Sequence, residues 1–478
     1  MTKLTFSIRR KRLGLAAGCL AMLSACGGGG SSSGPPTGGV TPTPTPSPTA
    51  TTAACSLRSR QDWALAQLQE WYLFPSLLDA TVNPAAYGTV DAYIDALVAP
   101  ARAQNKDRYF TYMTSIAQEN AYYEQGATAG FGMRLGYDTT SNRVFVIEAF
   151  EGANALAAGI DRGTELLQIN GQSVSSLMAS GGAAAVISAL GPDTTGTSRT
   201  FVVRDLSGTQ RTVTISKSTF ALDPVSDRYG AKIIADGARK VGYVNLRSFI
   251  DTADPNLRAA FASFKAQGVT ELIIDLRYNG GGLISIAELL GDLMGAGRTG
   301  QIFDYVTLRD SKASLNESYA FRAQPEAIGP TKVAFIGTRS TASASEMVIN
   351  GMVPYLRTSM ALVGSNTYGK PVGQIALDKP ECDDRLRAIA LKVENADHQG
   401  DYYNGLATTV PVTCRATDDI GHQLGDADEA MVRAALDFLA GRSCTAIGAI
   451  GTQAVGGRAL LTRDVPQNTI QREVPGAY

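Results

Sequence analysis

Four short apolar runs constrain the fold more than any other feature. They are Val241-Gly242-Tyr243-Val244-Asn245-Leu246, Leu272-Ile273-Ile274-Asp275-Leu276-Arg277, Val333-Ala334-Phe335-Ile336 and Met360-Ala361-Leu362-Val363-Gly364. Each reads as one strand, the middle two as buried strands. Helical spacing fills the gaps. Leu257, Phe261 and Phe264 share a face after Asp254-Pro255, and Ala344, Met347, Val348, Gly351 and Met352 recur with a helical period. Strand–helix alternation from 241 to 364 predicts an α/β layer architecture.

Between the third run and its helix lies Gly337-Thr338-Arg339-Ser340-Thr341-Ala342-Ser343-Ala344-Ser345-Glu346. Ser343 sits where a strand hands over to a helix N-terminus. A hydroxyl there lies against the positive end of the helix dipole, and free backbone N–H groups point at whatever it attacks. The Ala344 N–H is a natural oxyanion donor. Serine needs a base to become a nucleophile. Lys370 is the candidate, in the turn after the fourth run, and Gln374 can orient its amine. A lysine serves as a base near neutral pH only when burial lowers its pKa. The competing reading of Ser343 is a plain helix N-cap.

Ser343-Ala344-Ser345-Glu346, then Tyr368-Gly369-Lys370, then Gln374, resembles the C-terminal processing proteases, the S41 serine peptidases. The resemblance implies Ser343 as nucleophile, Lys370 as general base and Gln374 as its support. Asp275-Leu276-Arg277-Tyr278-Asn279-Gly280-Gly281-Gly282 is the second match. It implies a second oxyanion donor from a glycine amide, Gly280 or Gly281, with Gly281 favoured. Glycine lets the backbone approach a reacting carbonyl closely. A phosphate-binding glycine loop is the alternative, but no lysine–serine pair follows. The family also implies a ClpP/crotonase-like spiral catalytic core, over residues 228–440.

Residues 55–120 read as an N-terminal helical region, on Trp63, Leu65, Leu68, Trp71, Val90, Tyr93, Ile94 and Leu97. Asp107-Arg108-Tyr109-Phe110-Thr111-Tyr112 resembles the segment that closes this region in S41 proteins, and is read as a helical cap with no direct function. Residues 121–220 resemble an inserted PDZ domain. Gly130-Phe131-Gly132-Met133 resembles the loop that holds a peptide's terminal carboxylate, and Gly163 to Gly171 resembles the strand running into Ile-Asn-Gly. The helix around Val174–Leu190 is expected to line the groove. Peptide binding by an added strand is the implied mode; a module that only gates the active site is the alternative.

The amino terminus reads as a processing signal. A basic segment, Arg9-Arg10-Lys11-Arg12, precedes an apolar stretch from Leu13 to Met22, too short to span a bilayer permanently. Leu23-Ser24-Ala25-Cys26 resembles a bacterial lipobox, which implies cleavage of residues 1–26 and lipidation of Cys26. An ordinary secretory signal is the alternative. Residues 27–54, rich in Gly, Ser, Thr and Pro, read as a tether. The folded part is thereby expected in the cell envelope facing the periplasm, anchored to a membrane through lipid, with the outer membrane favoured. Cys55, Cys382, Cys414 and Cys444 remain, an even number for an oxidising compartment. Cys382 and Cys414 flank one segment near the core, which favours that pair and leaves Cys55 with Cys444; the other pairings stay open. Cysteine spacing and only two histidines argue against a metal site, and no cofactor is expected. Residues 445–478 read as a mobile tail.

The 43 basic residues against 44 acidic ones leave no electrostatic case for nucleic acid. Three functions remain. The first is a serine endopeptidase with a Ser–Lys dyad acting on polypeptides with accessible C-termini. The second is a non-catalytic protein binding peptides or apolar ligands on the same fold. The third is an esterase using His398 or His422, against which stands the absence of a Gly-x-Ser-x-Gly elbow around Ser343.

Overall fold

A computed structural model describes residues 51–448 and 458–459. The signal, Cys26 and nearly all of the tether lie outside the described residues.

The four apolar runs become neighbouring strands of one six-stranded sheet. Its order is Ala231–Asp236, Arg239–Asn245, Glu271–Asp275, Lys332–Gly337, Met360–Gly364 and Thr413–Arg415, and every pair after the first is parallel. Side chains alternate along these strands, so each strand feeds two cores. Leu272, Ile274, Val333, Phe335, Met360 and Leu362 face a core built with helices Ala253–Ala266, Ile284–Leu293 and Ala344–Leu356. Ile273, Ala334, Ile336, Ala361 and Val363 face Met431, Val432 and Leu436 of helix Ala430–Leu439. A sheet covered on both faces explains why these runs are continuously apolar. The architecture is mixed α/β.

A second sheet orders Tyr112–Ser115, Asp384–Asn395, Ile302–Leu308 and Glu317–Ala320, with Val372–Lys379 also paired to Asp384–Asn395. The region expected as helical is therefore interrupted by a strand before helix Ile116–Gln125, because Tyr112–Ser115 finds an antiparallel partner at Asp384–Arg387.

Residues between 130 and 218 form an inserted β-rich module. Its two connections pair antiparallel, Ala127 with Ala221 and Gly130 with Ser218, so the chain leaves and re-enters the core at one place. Such a neck lets a module be inserted without disturbing the parent core. The module's sheet runs Met133–Asp138, Arg143–Ala149, Glu165–Ile169, Ser198–Arg204, Gln210–Ser216. Phe131, Val146, Ile169, Val186, Leu190 and Phe201 fill its core. Part of the stretch read as a mobile tail adds to this sheet: Arg458–Ala459 pairs with Asp138 and Tyr137.

The disulfide pairing differs from the expectation. Cys55 bonds Cys382, and Cys414 bonds Cys444. Adjacency in sequence misled, because topology separates Cys382 from Cys414. Cys382 lies at the turn between Val372–Lys379 and Asp384–Asn395, where the short helix Thr51–Ala54 packs. Cys414 lies in the edge strand of the other sheet, against the segment after the last helix. Arg60 reinforces the first contact with a two-pronged ion pair to Asp384, at 2.5 and 2.6 Å. Replacing Cys382 by serine is expected to cost about 2–4 kcal/mol, read by chemical denaturation of oxidised protein. Unchanged stability would show that Arg60 and the apolar face of helix Leu57–Trp71 suffice.

Candidate active site

The three site segments follow the carboxyl ends of adjacent parallel strands. The turn Tyr278–Gly282 follows Glu271–Asp275, the Ser343 elbow follows Lys332–Gly337, and Lys370 follows Met360–Gly364. Loops at the carboxyl edge of neighbouring strands converge, and such edges are where α/β sheets place ligands.

Ser343 precedes helix Ala344–Leu356 with φ 54° and ψ −118°. A β-branched or bulky residue would be a severe outlier here, and even serine is strained. The surroundings hold it. Thr341 donates its hydroxyl to Leu276 O at 2.7 Å and Tyr368 N–H donates to Thr341 O at 2.9 Å. Ser343 is half-buried, whereas Ser345 is fully buried and donates to Asn279 O at 3.0 Å.

Glu346 ties the elbow to the lysine turn. Its Oε2 accepts from Ser343 N–H at 3.1 Å and from Lys370 N–H at 2.7 Å. Its Oε1 accepts from Gly369 N–H at 2.7 Å and from Thr367 Oγ1 at 2.6 Å. The carboxyl is wholly buried, which pushes its pKa up, while the four donors pull the other way. One carboxylate oxygen thus brings the backbones of Ser343 and Lys370 together.

Lys370 is buried, and its Nζ donates to Gln374 Oε1 at 2.8 Å. The amide nitrogen of Gln374 donates to Phe110 O, and the Phe110 ring centroid lies 5.1 Å from Nζ. Arg108 donates to the carbonyls of Tyr368, at 2.8 Å, and Gly369. Its guanidinium stacks over the Tyr368 ring at 4.3 Å. Asp107 in turn caps Phe110 and Thr111 from a buried position. The segment read as a bare helical cap therefore supports the lysine directly. The signal was present as the resemblance of Asp107–Tyr112, but nothing in the sequence placed it beside residue 370.

Asn279 shapes the glycine turn. Its side chain donates to Leu246 O at 2.9 Å, and its carbonyl accepts from Ala342 N–H at 3.1 Å as well as from Ser345. Gly281, at φ 117°, lies flat on the elbow: an added Cβ would stand 2.7 Å from Ser343 Cβ and 3.0 Å from Ala344 N. Its N–H donates to Asn279 Oδ1 at 2.9 Å. Gly281 thus supplies the close approach that only glycine permits, but its amide is engaged in this state. To serve an oxyanion it must turn from Asn279, or the neighbouring Gly280 must donate. Gly281→Ala is expected to lower turnover about a hundredfold or more, measured on an unfolded polypeptide substrate. Retention of near-full activity would remove this turn from the site.

The Gly130–Met133 loop lies in the inserted module and is buried. Gly132 has φ 81°, and a Cβ there would collide with Ala153 Cβ at 1.9 Å. The module reaches the core through Tyr278. Arg162 donates to Tyr278 Oη at 2.8 Å and to Asp418 at 2.6 Å, and the Arg134 guanidinium sits 4.7 Å over the Tyr278 ring. The histidines are committed elsewhere: His398 stacks on Tyr305 at 4.4 Å, and His422 pairs with Asp419 at 2.7 Å.

A family model described as Peptidase family S41 matches residues 240–399. The carboxyl-terminal-processing protease of Picosynechococcus is 27% identical over 319 residues, covering 66% of this chain and 71% of that protein. The chloroplastic C-terminal processing peptidase of Tetradesmus obliquus is 28% identical over 270 residues, 53% of each chain. The crystal structure of an S41 protease candidate from Bacteroides fragilis superposes with TM-score 0.62 at 23% identity, over 79% of this chain and 97% of that one, which is a likeness of fold. The chain thus carries a Peptidase family S41 domain over residues 240–399 and is similar to proteins named carboxyl-terminal-processing proteases.

Proposed function

We propose that the protein hydrolyses peptide bonds through a Ser343–Lys370 dyad, on the spiral core of its family, with a PDZ module engaging substrate C-termini. The observation that carries this reading is the shared Glu346 oxygen, which holds the backbones of Ser343 and Lys370 together while Gln374 holds the lysine amine. Ser343 Oγ attacks the scissile carbonyl as Lys370 takes its proton. Ala344 N–H and a glycine amide of the 280–281 turn receive the oxyanion. Lys370 then protonates the departing amine, and water, deprotonated by the same lysine, releases the acyl group. Gln374 accepts one N–H of the amine, which fixes its rotation and leaves the lone pair for proton transfer.

A serine-directed fluorophosphonate tests the assignment: the adduct is expected on Ser343. An adduct on Ser345, or activity lost when both histidines are replaced, would overturn it. The esterase alternative would need His398 or His422 to leave Tyr305 or Asp419. The module reading rests on the glycine loop opening onto strand Met133–Asp138 and on helix Val174–Leu190 beside the same sheet.

The reading includes an exported, lipid-anchored enzyme facing the periplasm. Two disulfides fit an oxidising compartment, and Leu23–Cys26 supplies the anchor pattern. Cys26→Ser is expected to shift the protein from the membrane to the soluble fraction or leave uncleaved precursor. Wild-type protein with an unmodified, soluble amino terminus would exclude the anchor.

A further inference from the structure

Strand Met133–Asp138 pairs with Arg143–Ala149 along one edge. Its other edge, next to the Gly130–Met133 loop, would end the module's sheet. An open edge presents a row of unpaired N–H and C=O groups and invites another strand. In this chain the edge is taken: Arg458 stands opposite Asp138 and Ala459 opposite Tyr137, antiparallel. These residues follow the catalytic core in sequence, yet they return to a module inserted before it.

The direction of the pairing matters. As the tail number rises from 458 to 459, its partner falls from 138 to 137, so the tail runs toward Met133 and the glycine loop. A peptide whose terminal carboxylate is caught by a loop preceding a strand must run antiparallel to that strand, with its carboxyl end at the loop. The tail therefore enters with the polarity of a ligand. Main-chain ladders supply affinity in strand addition whatever the side chains are, so a segment can occupy such an edge without matching a specificity pocket.

We propose that Arg458–Ala459 is an intramolecular occupant of the peptide-binding edge of the inserted module, and that substrate strands must displace it. The proposal rests on the PDZ reading above. Two paired residues make a weak contact, but a covalent link makes the competition intramolecular, at an effective concentration that reaches roughly the millimolar range for short links. An occupant of this strength lets a good substrate in and screens chains that add a strand poorly. The apparent affinity of any ligand falls by the fraction of edges left open.

The test compares the full mature chain, the same chain ending at Gly448, and the full-length double variant Arg458→Pro with Ala459→Pro, which removes whichever of the two backbone donors enters the ladder. The chain ending at Gly448 keeps Cys444 and its bond to Cys414. Two readouts are taken: hydrogen exchange of the Met133–Asp138 amides, and binding of a fluorescein-labelled decapeptide with a free carboxylate and an apolar last residue. Both altered chains are expected to exchange this strand roughly tenfold faster. They are also expected to bind the decapeptide about threefold or more tightly, and a peptide of residues 449–466 added in trans should reverse the gain. Unchanged exchange in both variants overturns the proposal, and if the decapeptide still binds, the PDZ reading survives alone. Faster exchange with no decapeptide binding by any form overturns the competition and the PDZ reading together, leaving the tail as a structural strand.

Discussion

Ser343→Ala is expected to give a folded protein whose peptidase turnover has fallen roughly 10³-fold or more. The lost group is a single oxygen on a half-buried side chain, so thermal stability should change little; relief of a hydroxyl from a strained elbow has no large packing cost. Lys370→Arg should be as inactive, because a guanidinium cannot give up its proton to become a base. Gln374→Ala should retain more activity than either, since the residue orients the amine and moves no proton. It should still be impaired, because Gln374 links Nζ at 2.8 Å to the Phe110 carbonyl. Ser345→Ala is the control. Its hydroxyl binds Asn279 O, so its loss should cost about 1 kcal/mol and a modest part of turnover. Turnover is measured on an unfolded polypeptide, with melting temperature in parallel. Full activity in Lys370→Arg would sink the dyad.

The juxtaposition of the candidate site segments was legible because each lies close to an apolar run in sequence. A serine between an apolar run and a helical period can only stand at a strand–helix elbow, and a glycine turn after a neighbouring run can only stand beside it. What joins them was not legible. Glu346 lies inside the quoted motif, yet its role depends on Thr367, Gly369 and Lys370 folding around it. Arg108 and Phe110 lie more than two hundred residues before Lys370, and no periodicity foretells that they will press on its turn. The glycine question changed form: the favoured Gly281 does lie on Ser343, but its N–H is held by Asn279.

For the fold, strand–helix alternation from 241 to 364 predicted an α/β layer, and the four runs became neighbouring strands of one sheet covered on both faces. The cysteine pairing failed for a topological reason. Cys382 lies in the turn joining two strands of one sheet, whereas Cys414 lies in the edge strand of the other. A strand interrupts the helical region because Tyr112–Ser115 was offered a partner hundreds of residues away. Short polar segments carry too little pattern to reveal such pairings, as Arg458–Ala459 shows again.

Asp418→Ala should be the most destabilising change among those argued above. Asp418 is held between two buried guanidiniums: Arg162 Nη2 donates to Oδ1 at 2.6 Å and Arg277 Nη1 at 3.1 Å, while Tyr278 Oη donates to Oδ2. Burial alone would raise its pKa, but the two guanidiniums outweigh that and hold it well below the ordinary carboxylate range. A depressed folded pKa means that this stabilisation is present above the ordinary carboxylate pKa and fades only as pH falls below it toward the folded value. Removing the carboxylate leaves Arg277 with Asp275 and Glu429, both fully buried. Arg162 keeps only neutral acceptors in the described hydrogen bonds: Ile147 O, His422 O, Asp419 O and Tyr278 Oη. An uncompensated buried charge costs about 3–5 kcal/mol, read as a shifted denaturation midpoint at pH 7. The double variant Arg162→Met with Asp418→Leu should recover much of that loss, because an apolar pair replaces the ion pair at little net cost. It should not recover turnover if Asp418 and Arg162 also hold Tyr278, whose neighbour Asn279 shapes the glycine turn. Recovery of stability and turnover together would make the network structural alone; recovery of stability without turnover would make it the physical link between the inserted module and the glycine turn beside Ser343.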